Sequence, residues 1–429
     1  MSCAKCNEDV LMTNASNLMN SPSTKRSSYR LLFILGTVFF LLLLLRDTYS
    51  VGINKYIFLG IACVCILTMK TSDIIYLYCF LFPLYVGLPG NFLTIILIVR
   101  LLCEIRRFKI SSFLLTLLIA ILVFIQNYST GMTGTVPMMF IPALVLLLLL
   151  FSYKPKLESA PMILMFSAGV AACGFIMLAS TLRVHSLTSL MSTAFRLGTN
   201  ATDYTEAVVM NVSIDPNFYG MFTMTAITLA FPMFMHPKTP KLVKVLLAIF
   251  AFIQLIVSLV GLSRTFMLVL LFWIMLYLLT EKNAKNMILA TIVFIVFLIF
   301  LIVYMSDVIE TGFNRFGDSD MVTANGRVTV FTRYWNVWVN DIYYIFMGVG
   351  IFRCNVHCVP IQFLFGGGLI MFTLGVLLLL SFRSNHRCKK GLAARLPLII
   401  TFIMMCTVPA LGLLNFMFPL VLVGLCDNE

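Results

Sequence analysis

MILATIVFIVFLIFLIV, the stretch Met287–Val303, carries one hydroxyl and no charge. A second run, LLFILGTVFFLLLLL at Leu31–Leu45, is equally apolar. About 20 such residues let an α-helix cross the hydrocarbon of a bilayer. Inside hydrocarbon every backbone N–H and C=O must be bonded within the protein, which leaves helices or a closed barrel. Barrel strands alternate lipid-facing and lumen-facing residues; neither run alternates, so both read as helices.

The whole chain agrees with this reading. With 61% hydrophobic residues, 11% charged residues and a mean hydropathy of +1.01, its 429 residues hold too little polar surface for a soluble protein. The fold class is an all-α polytopic integral membrane protein. Apolar runs recur at 31–45, 51–69, 74–88, 91–103, 111–126, 136–153, 161–180, 217–235, 242–260, 265–280, 287–305, 361–381, 396–411 and 413–425, which makes fourteen spans. Only Pro89, Gly90 and Asn91 divide the third run from the fourth, and only the turn Pro409–Leu411 divides the last two, so the range is 12–14 transmembrane helices. Arg46 and Asp47 follow the first run without a small-residue cleavage pattern, so it reads as an uncleaved span.

The net charge of +13 reports topology here, and no nucleic-acid partner is expected. With the N-terminus in the cytoplasm, 21 of the 30 lysines and arginines fall in inner loops, as the positive-inside rule requires. The resulting organisation is a cytoplasmic tail (1–30), N-terminal spans (31–180), an outer loop (181–216), central spans (217–305), a long outer loop with an interfacial helix (306–360), C-terminal spans (361–425) and a short tail (426–429). Nine basic residues oppose the rule: Arg46, Lys55, Arg183, Arg196, Arg264, Arg315, Arg327, Arg333 and Arg353. Eight of the nine are arginine, whose planar fork of donors suits phosphate and carboxylate. The outer face therefore reads as built to hold an anion.

Three outer segments carry that reading. The first, Thr181–Asn217, holds Arg183, His185 and Arg196 and ends in Asp215-Pro216-Asn217, where Asp215 or Asn217 is placed to cap the next helix. The second is the short turn Ser263-Arg264-Thr265; an arginine opening an apolar run belongs at the interface or in a polar cavity. The third, Ser306–Pro360, includes the turn Asn325-Gly326-Arg327, an amphipathic stretch from Val328 to Phe346, Gly348 and Gly350, and His357. Trp335 and Trp338 share a helical face of that stretch, as interface anchors do. The next span starts Ile361-Gln362-Phe363 and carries Gly366-Gly367-Gly368, which permits close packing or a local break.

The twelve cysteines form no disulfide framework. Cys63, Cys65, Cys79, Cys103, Cys173 and Cys406 lie in apolar runs and read as small buried hydrophobes. Cys3 and Cys6 are a single CxxC pair, and Cys354, His357 and Cys358 fall within one turn; both groups read as structural, and no metal is called for. No phosphate-binding glycine loop or dinucleotide fingerprint occurs, so no cofactor is expected. Outer arginines beside one histidine suit a lipid-linked phosphate or pyrophosphate: the arginines neutralise the leaving group, and His357 accepts a proton from an attacking hydroxyl.

The order DPN (Asp215, Pro216, Asn217), SRT (Ser263, Arg264, Thr265), NGR (Asn325, Gly326, Arg327), tryptophan, G-x-G (Gly348, Gly350) and a histidine before a glycine-bearing span resembles the bacterial O-antigen polymerase and O-antigen ligase superfamily over roughly residues 180 to 380. The resemblance implies a GT-C-type glycosyltransferase of the bacterial cytoplasmic (inner) membrane. Its substrate would be an undecaprenyl-pyrophosphate-linked oligosaccharide, used without metal or nucleotide, with membrane lipids, a chain-length regulator and a flippase of the same pathway as partners. By position, His357 and Arg327 would be catalytic, Arg264 would hold pyrophosphate with Arg327, and Arg196, Arg333, Arg353, Asp215 and Asn217 would bind substrate. The polymerase branch fits better than the ligase branch, which hands the finished chain to the lipid A core, because no loop suggests that acceptor. The sequence departs from the family where Cys358 follows His357 in place of the common Asn. A flippase or other carrier is the alternative of a different class; it would place charges near the bilayer midplane and show repeated halves.

Overall fold

The structure is a computed structural model that describes residues 23–130, 135–183, 186, 214–261, 263–281, 283–304, 310, 327–354, 356–383, 392–408 and 413–426. All fourteen apolar runs form helices. They are α1 (Ser23–Thr48), α2 (Lys55–Thr68), α3 (Thr71–Leu81), α4 (Gly90–Glu104), α5 (Ile110–Thr130), α6 (Thr135–Tyr153), α7 (Ser159–Leu182), α8 (Pro216–Met235), α9 (Lys241–Val260), α10 (Arg264–Thr280) and α11 (Ala284–Tyr304). Two further helices, α12 (Arg327–Val339) and α13 (Ile342–Met347), precede α14 (Val359–Arg383), α15 (Leu392–Met405) and α16 (Leu413–Cys426). No strand occurs among the described residues. Six of these helices are long and apolar enough to cross a membrane among the described residues, and several shorter apolar helices accompany them. The chain is an all-α, multi-pass membrane protein.

The break expected at Pro89–Asn91 is present. α3 passes into a 3-10 helix at Phe82–Gly87, and α4 starts at Gly90. At the far end of α4, Arg100 pairs with Glu104 at 3.1 Å and donates to the Thr71 hydroxyl, which fastens α4 to the start of α3. Of the cysteines in apolar runs, Cys65, Cys79 and Cys173 are buried as expected, whereas Cys103 is exposed. Two of the arginines that oppose the charge rule are engaged structurally. Arg46 pairs with Asp47 and lies over the Phe58 ring, and Arg183 donates to the Thr48 carbonyl and lies over Tyr49.

The core is organised around α7 and α8, which are 72% and 78% buried along their spans, against 28% for α1 and α5. α8 packs against α7, α9, α10, α15 and α16. Helices in lipid gain little from hydrophobic segregation, so close packing and interhelical hydrogen bonds hold them. Gly169 of α7 lies against the backbone of α3, where a Cβ would stand 2.2 Å from the Phe80 carbonyl oxygen. The Phe82 ring stacks on Phe418 at 4.2 Å and meets Phe222 at 5.5 Å, which joins the 3-10 helix after α3 to α8 and α16. Buried hydroxyls and amides pair across helices: Ser258 with Thr223 at 3.0 Å, Thr225 with Thr401 at 3.1 Å, and the Gln254 amide with the Ser167 carbonyl at 2.7 Å. Outward side chains such as Ile34, Val64, Phe124 and Val296 are exposed and apolar, a surface suited to hydrocarbon.

Gly169→Val should separate α3 from α7 and destabilise the bundle by about 1–3 kcal/mol, the usual range for overpacking. Thermal unfolding in detergent checks this. Gly52→Ala, where nothing lies within 4 Å of the added Cβ, should leave the melting temperature unchanged.

Candidate functional site

Two helix starts meet at one end of the bundle. The Asp215 carboxylate accepts the Asn217 N–H at 2.8 Å and caps α8, with Pro216 as the first helical residue. The Ser263 hydroxyl accepts the Phe266 N–H at 3.3 Å and caps α10. The same hydroxyl donates to the Asn217 side-chain oxygen at 2.9 Å, so the DPN and SRT segments form one junction. A Cβ on Gly261 would touch Pro216 at 3.6 Å, and one on Gly220 would lie 3.1 Å from the Phe266 Cβ. Farther along, the Phe231 and Tyr277 rings are 4.8 Å apart, so α8 and α10 run parallel. Both partial positive ends therefore face the same side, and Arg264 is the first residue of α10.

α15 runs antiparallel to this pair and reaches the junction with its C-terminal end. Besides the bond between Thr401 and Thr225, the Met404 methyl lies 3.5 Å from where a Gly220 Cβ would be. Cys406 follows directly, its N–H bonded to the Phe402 and Ile403 carbonyls.

A small folded cap contains the rest of the site. The helix expected over Val328–Phe346 is divided, because Asp341 accepts the Tyr343 N–H at 2.8 Å and starts α13. Trp335 and Trp338 do share a face, with rings 5.7 Å apart. They pack on Phe365 of α14, 5.8 Å and 5.4 Å away, and Trp338 is buried there. Trp338 thus belongs to a miniature core, while Trp335 remains 42% exposed. The Tyr334 hydroxyl donates to the Arg353 carbonyl at 2.5 Å and closes α12 onto the loop before α14.

The glycine triplet produces a break. Gly368 has φ 72° and ψ 174°, and α14 is kinked there. The extended segment after α13 crosses the break: Val349 N–H bonds the Phe365 carbonyl and Gly350 N–H the Gly366 carbonyl, both at 2.9 Å. Gly348, at φ 76°, approaches so closely that a Cβ would stand 2.2 Å from the Gly366 oxygen. Gln126 of α5 is buried beside the crossing and donates to the carbonyls of Met347, Gly366 (3.3 Å) and Gly367 (3.4 Å). Gln362 donates to the Ile351 carbonyl at 2.9 Å. Gln126 and Gln362 were not singled out as site residues; their signal is a lone amide inside or at the head of an apolar run.

His357 and Arg353 are exposed on the loop between this crossing and α14, and Arg333 is exposed on α12. Cys354 is buried, which pushes its thiol up to about 12. Cys358 precedes the first residue of α14, and its carbonyl accepts the Gln362 N–H at 2.8 Å. A hydrogen bond from the Cys406 thiol, helped by the Ile361 N–H, outweighs partial burial and holds the Cys358 thiol down to about 7. Cys406 is therefore a partner of the His357 loop and departs from the buried hydrophobe expected of it.

The structure thus assembles Asp215, Asn217 and the backbone of Arg264 at one junction, and Arg333, Arg353 and His357 on the adjoining cap. The carboxylate of Asp215 and the amide oxygen of Asn217 are both engaged in building the junction. The side chains of Arg264 and Arg327 and the whole of Arg196, Asn325 and Gly326 lie outside the described residues. Among known proteins, no family model, curated protein or solved structure matches this chain.

Gln126→Leu should remove the side-chain donor shared by the Met347, Gly366 and Gly367 carbonyls and destabilise the protein by about 1–3 kcal/mol, read as a lower melting temperature in detergent. Under reducing conditions, iodoacetamide labelling of Cys358 should rise with pH through a midpoint near 7, because the thiolate is the reacting form. Cys406→Ala should move that midpoint up toward the ordinary thiol value of about 8.5, as followed by peptide mass spectrometry.

Proposed function

We propose that the protein is a glycosyltransferase that joins undecaprenyl-pyrophosphate-linked oligosaccharide units into a surface polysaccharide. The reaction takes place at the outer face of a bacterial cytoplasmic membrane, with the N-terminus inside and the Asp215 end outside. The distribution of 21 basic residues to inner loops supports this orientation. One observation carries the reading: the Asn217–Ser263 hydrogen bond joins the DPN and SRT segments at the paired starts of α8 and α10. These are the segments whose order resembles the polymerase superfamily.

In this reading an acceptor sugar hydroxyl attacks the anomeric carbon of the donor. The bond to the pyrophosphate oxygen breaks, and the lipid pyrophosphate departs. Arg264, at the paired helix starts, and Arg327 neutralise the charge that develops on the leaving group. His357 accepts the proton of the attacking hydroxyl. Arg196, Arg333 and Arg353 hold the donor or the growing chain. A carrier is less well supported, because Thr223, Thr225, Ser258 and Thr401 at mid-span are engaged with one another and fully packed.

In a strain that depends on this protein for its polysaccharide, Arg264→Ala and Arg327→Ala should each abolish long chains on a gel while the protein stays in the membrane. His357→Ala should lower the product by about 10²-fold or more, the low end of what a general base contributes. Single repeat units on the acceptor after deletion identify a polymerase. Full chains stranded on the carrier lipid would identify a ligase, and normal chain length in both arginine variants would overturn the anion-holding site.

A further inference from the structure

We infer that α13 is part of a re-entrant element: it dips into the hydrocarbon beside α14, and lipid acyl chains cover its exposed apolar side chains. The inference needs no sugar substrate and is independent of the reaction proposed above.

The pairing of α5 with α14 gives the depth. The two helices run antiparallel, since the Ser112 and Ser381 hydroxyls are hydrogen-bonded at 2.9 Å at one end, while Gln126 reaches the Gly366 carbonyl at the other. The serine end marks a headgroup boundary. There the Lys109 ammonium donates to the Ser381 carbonyl at 3.3 Å, and Arg106, Arg107 and Arg383 stand close by in sequence. So many charges belong outside the hydrocarbon. From Ser112 to Gln126 is 14 residues, or about 21 Å along α5 at about 1.5 Å per residue. The hydrocarbon is about 30 Å thick, so the crossing of Gly348 with Gly366 lies about 9 Å short of the far boundary. Any tilt of α5 shortens its rise and sets the crossing deeper.

α13 ends at that crossing. The Phe346 carbonyl oxygen and the Gly348 nitrogen stand 2.3 Å and 2.5 Å from where a Gly368 Cβ would be. Beyond Gly348 the chain climbs back toward the start of α14: Gly350 N–H bonds the Gly366 carbonyl, and the Ile351 carbonyl takes the Gln362 amide, both at 2.9 Å. The backbone of the descent is bonded, as hydrocarbon demands. Tyr343 N–H goes to the Asp341 carboxylate, Ile345 N–H to the Asp341 carbonyl and Gly348 N–H to the Tyr344 carbonyl, while Gln126 takes the Met347 carbonyl. The 6 residues of α13 cover about 9 Å, long enough for the exposed Asp341 at its start to reach the headgroups.

The surface says what covers α13. Ile342 is 73% exposed, and Tyr343 and Phe346 are exposed beside it. They continue the lipid-facing surface of both neighbouring spans, where Leu369 and Ile370 follow Gly368 on α14 and Phe124 and Ile125 precede Gln126 on α5, all four exposed. α12 extends the same layer. Phe331, Trp335 and Trp338, spread over two turns of α12, all meet the Phe365 ring, at 5.3, 5.8 and 5.4 Å. α12 therefore lies across α14, as a helix in the plane of the interface does.

The test uses the unaltered chain in phosphatidylcholine liposomes. It is photolysed with an apolar diazirine that partitions into hydrocarbon, or with a charged diazirine that stays in water, then digested and mapped by mass spectrometry. The ratio of apolar to aqueous adducts is the readout. At Ile342 and Phe346 it should match the ratio at Leu369 and Ile370 on the lipid face of α14 and exceed that at Arg106 and Arg107. A ratio nearer to that of Arg106 and Arg107 overturns the inference, because the segment then stands in water. The absence of both adducts overturns it as well, because protein, such as a second copy of this chain, then covers the face.

Discussion

A peptide group in hydrocarbon has no water to bond, and the break in α14 at Gly368 frees several such groups at once. Everything around the break answers that constraint. The segment after α13 crosses it as a strand would and takes the Phe365 and Gly366 carbonyls. Gln126 reaches in from α5 to the carbonyls of Met347, Gly366 and Gly367. Only glycine fits where the two backbones cross, since side chains at 348 or 368 would strike backbone atoms and adopt an unfavourable positive φ. Irregular backbone at membrane depth is tolerated where protein buries it and supplies the missing bonds. The reward of this arrangement is positional: it fixes the root of the loop that carries Arg353 and His357.

The other half of the site follows from a milder form of the same constraint. The first N–H groups of a helix have no partner within it. At α8 and α10 Asp215 and Ser263 supply partners, and Asn217 joins the two caps. Capping and assembly are thus one hydrogen-bond chain. Residues at 215, 217 and 263 are required for local structure, while the same arrangement points two helix starts at one volume of space.

The helical bundle was legible in the sequence because length and apolarity suffice to define a span. The break at Pro89–Asn91 was legible too, since proline and glycine act locally. What sequence position does not reveal is pairing between distant elements. The three glycines from 366 to 368 allowed either tight packing or a break, and only the approach of Gly348 decides between them. The stretch Val328–Phe346 has one continuous amphipathic pattern, yet Asp341 caps its own second half and divides it. Trp335 and Trp338 share a face as expected, but their partner Phe365 lies on another helix. Cys406 sits in a run of apolar residues that says nothing of Cys358. Gln126 is a single amide among leucines and isoleucines, and its role depends on carbonyls contributed by elements far along the chain.

Cys358 shows how a small departure at a cap changes what the position can do. An asparagine there would offer a neutral oxygen to the first N–H groups of α14, a cap worth about 1 kcal/mol over alanine. A thiol is a weaker acceptor until it ionises, and ionisation is what the Cys406 hydrogen bond and the Ile361 N–H favour.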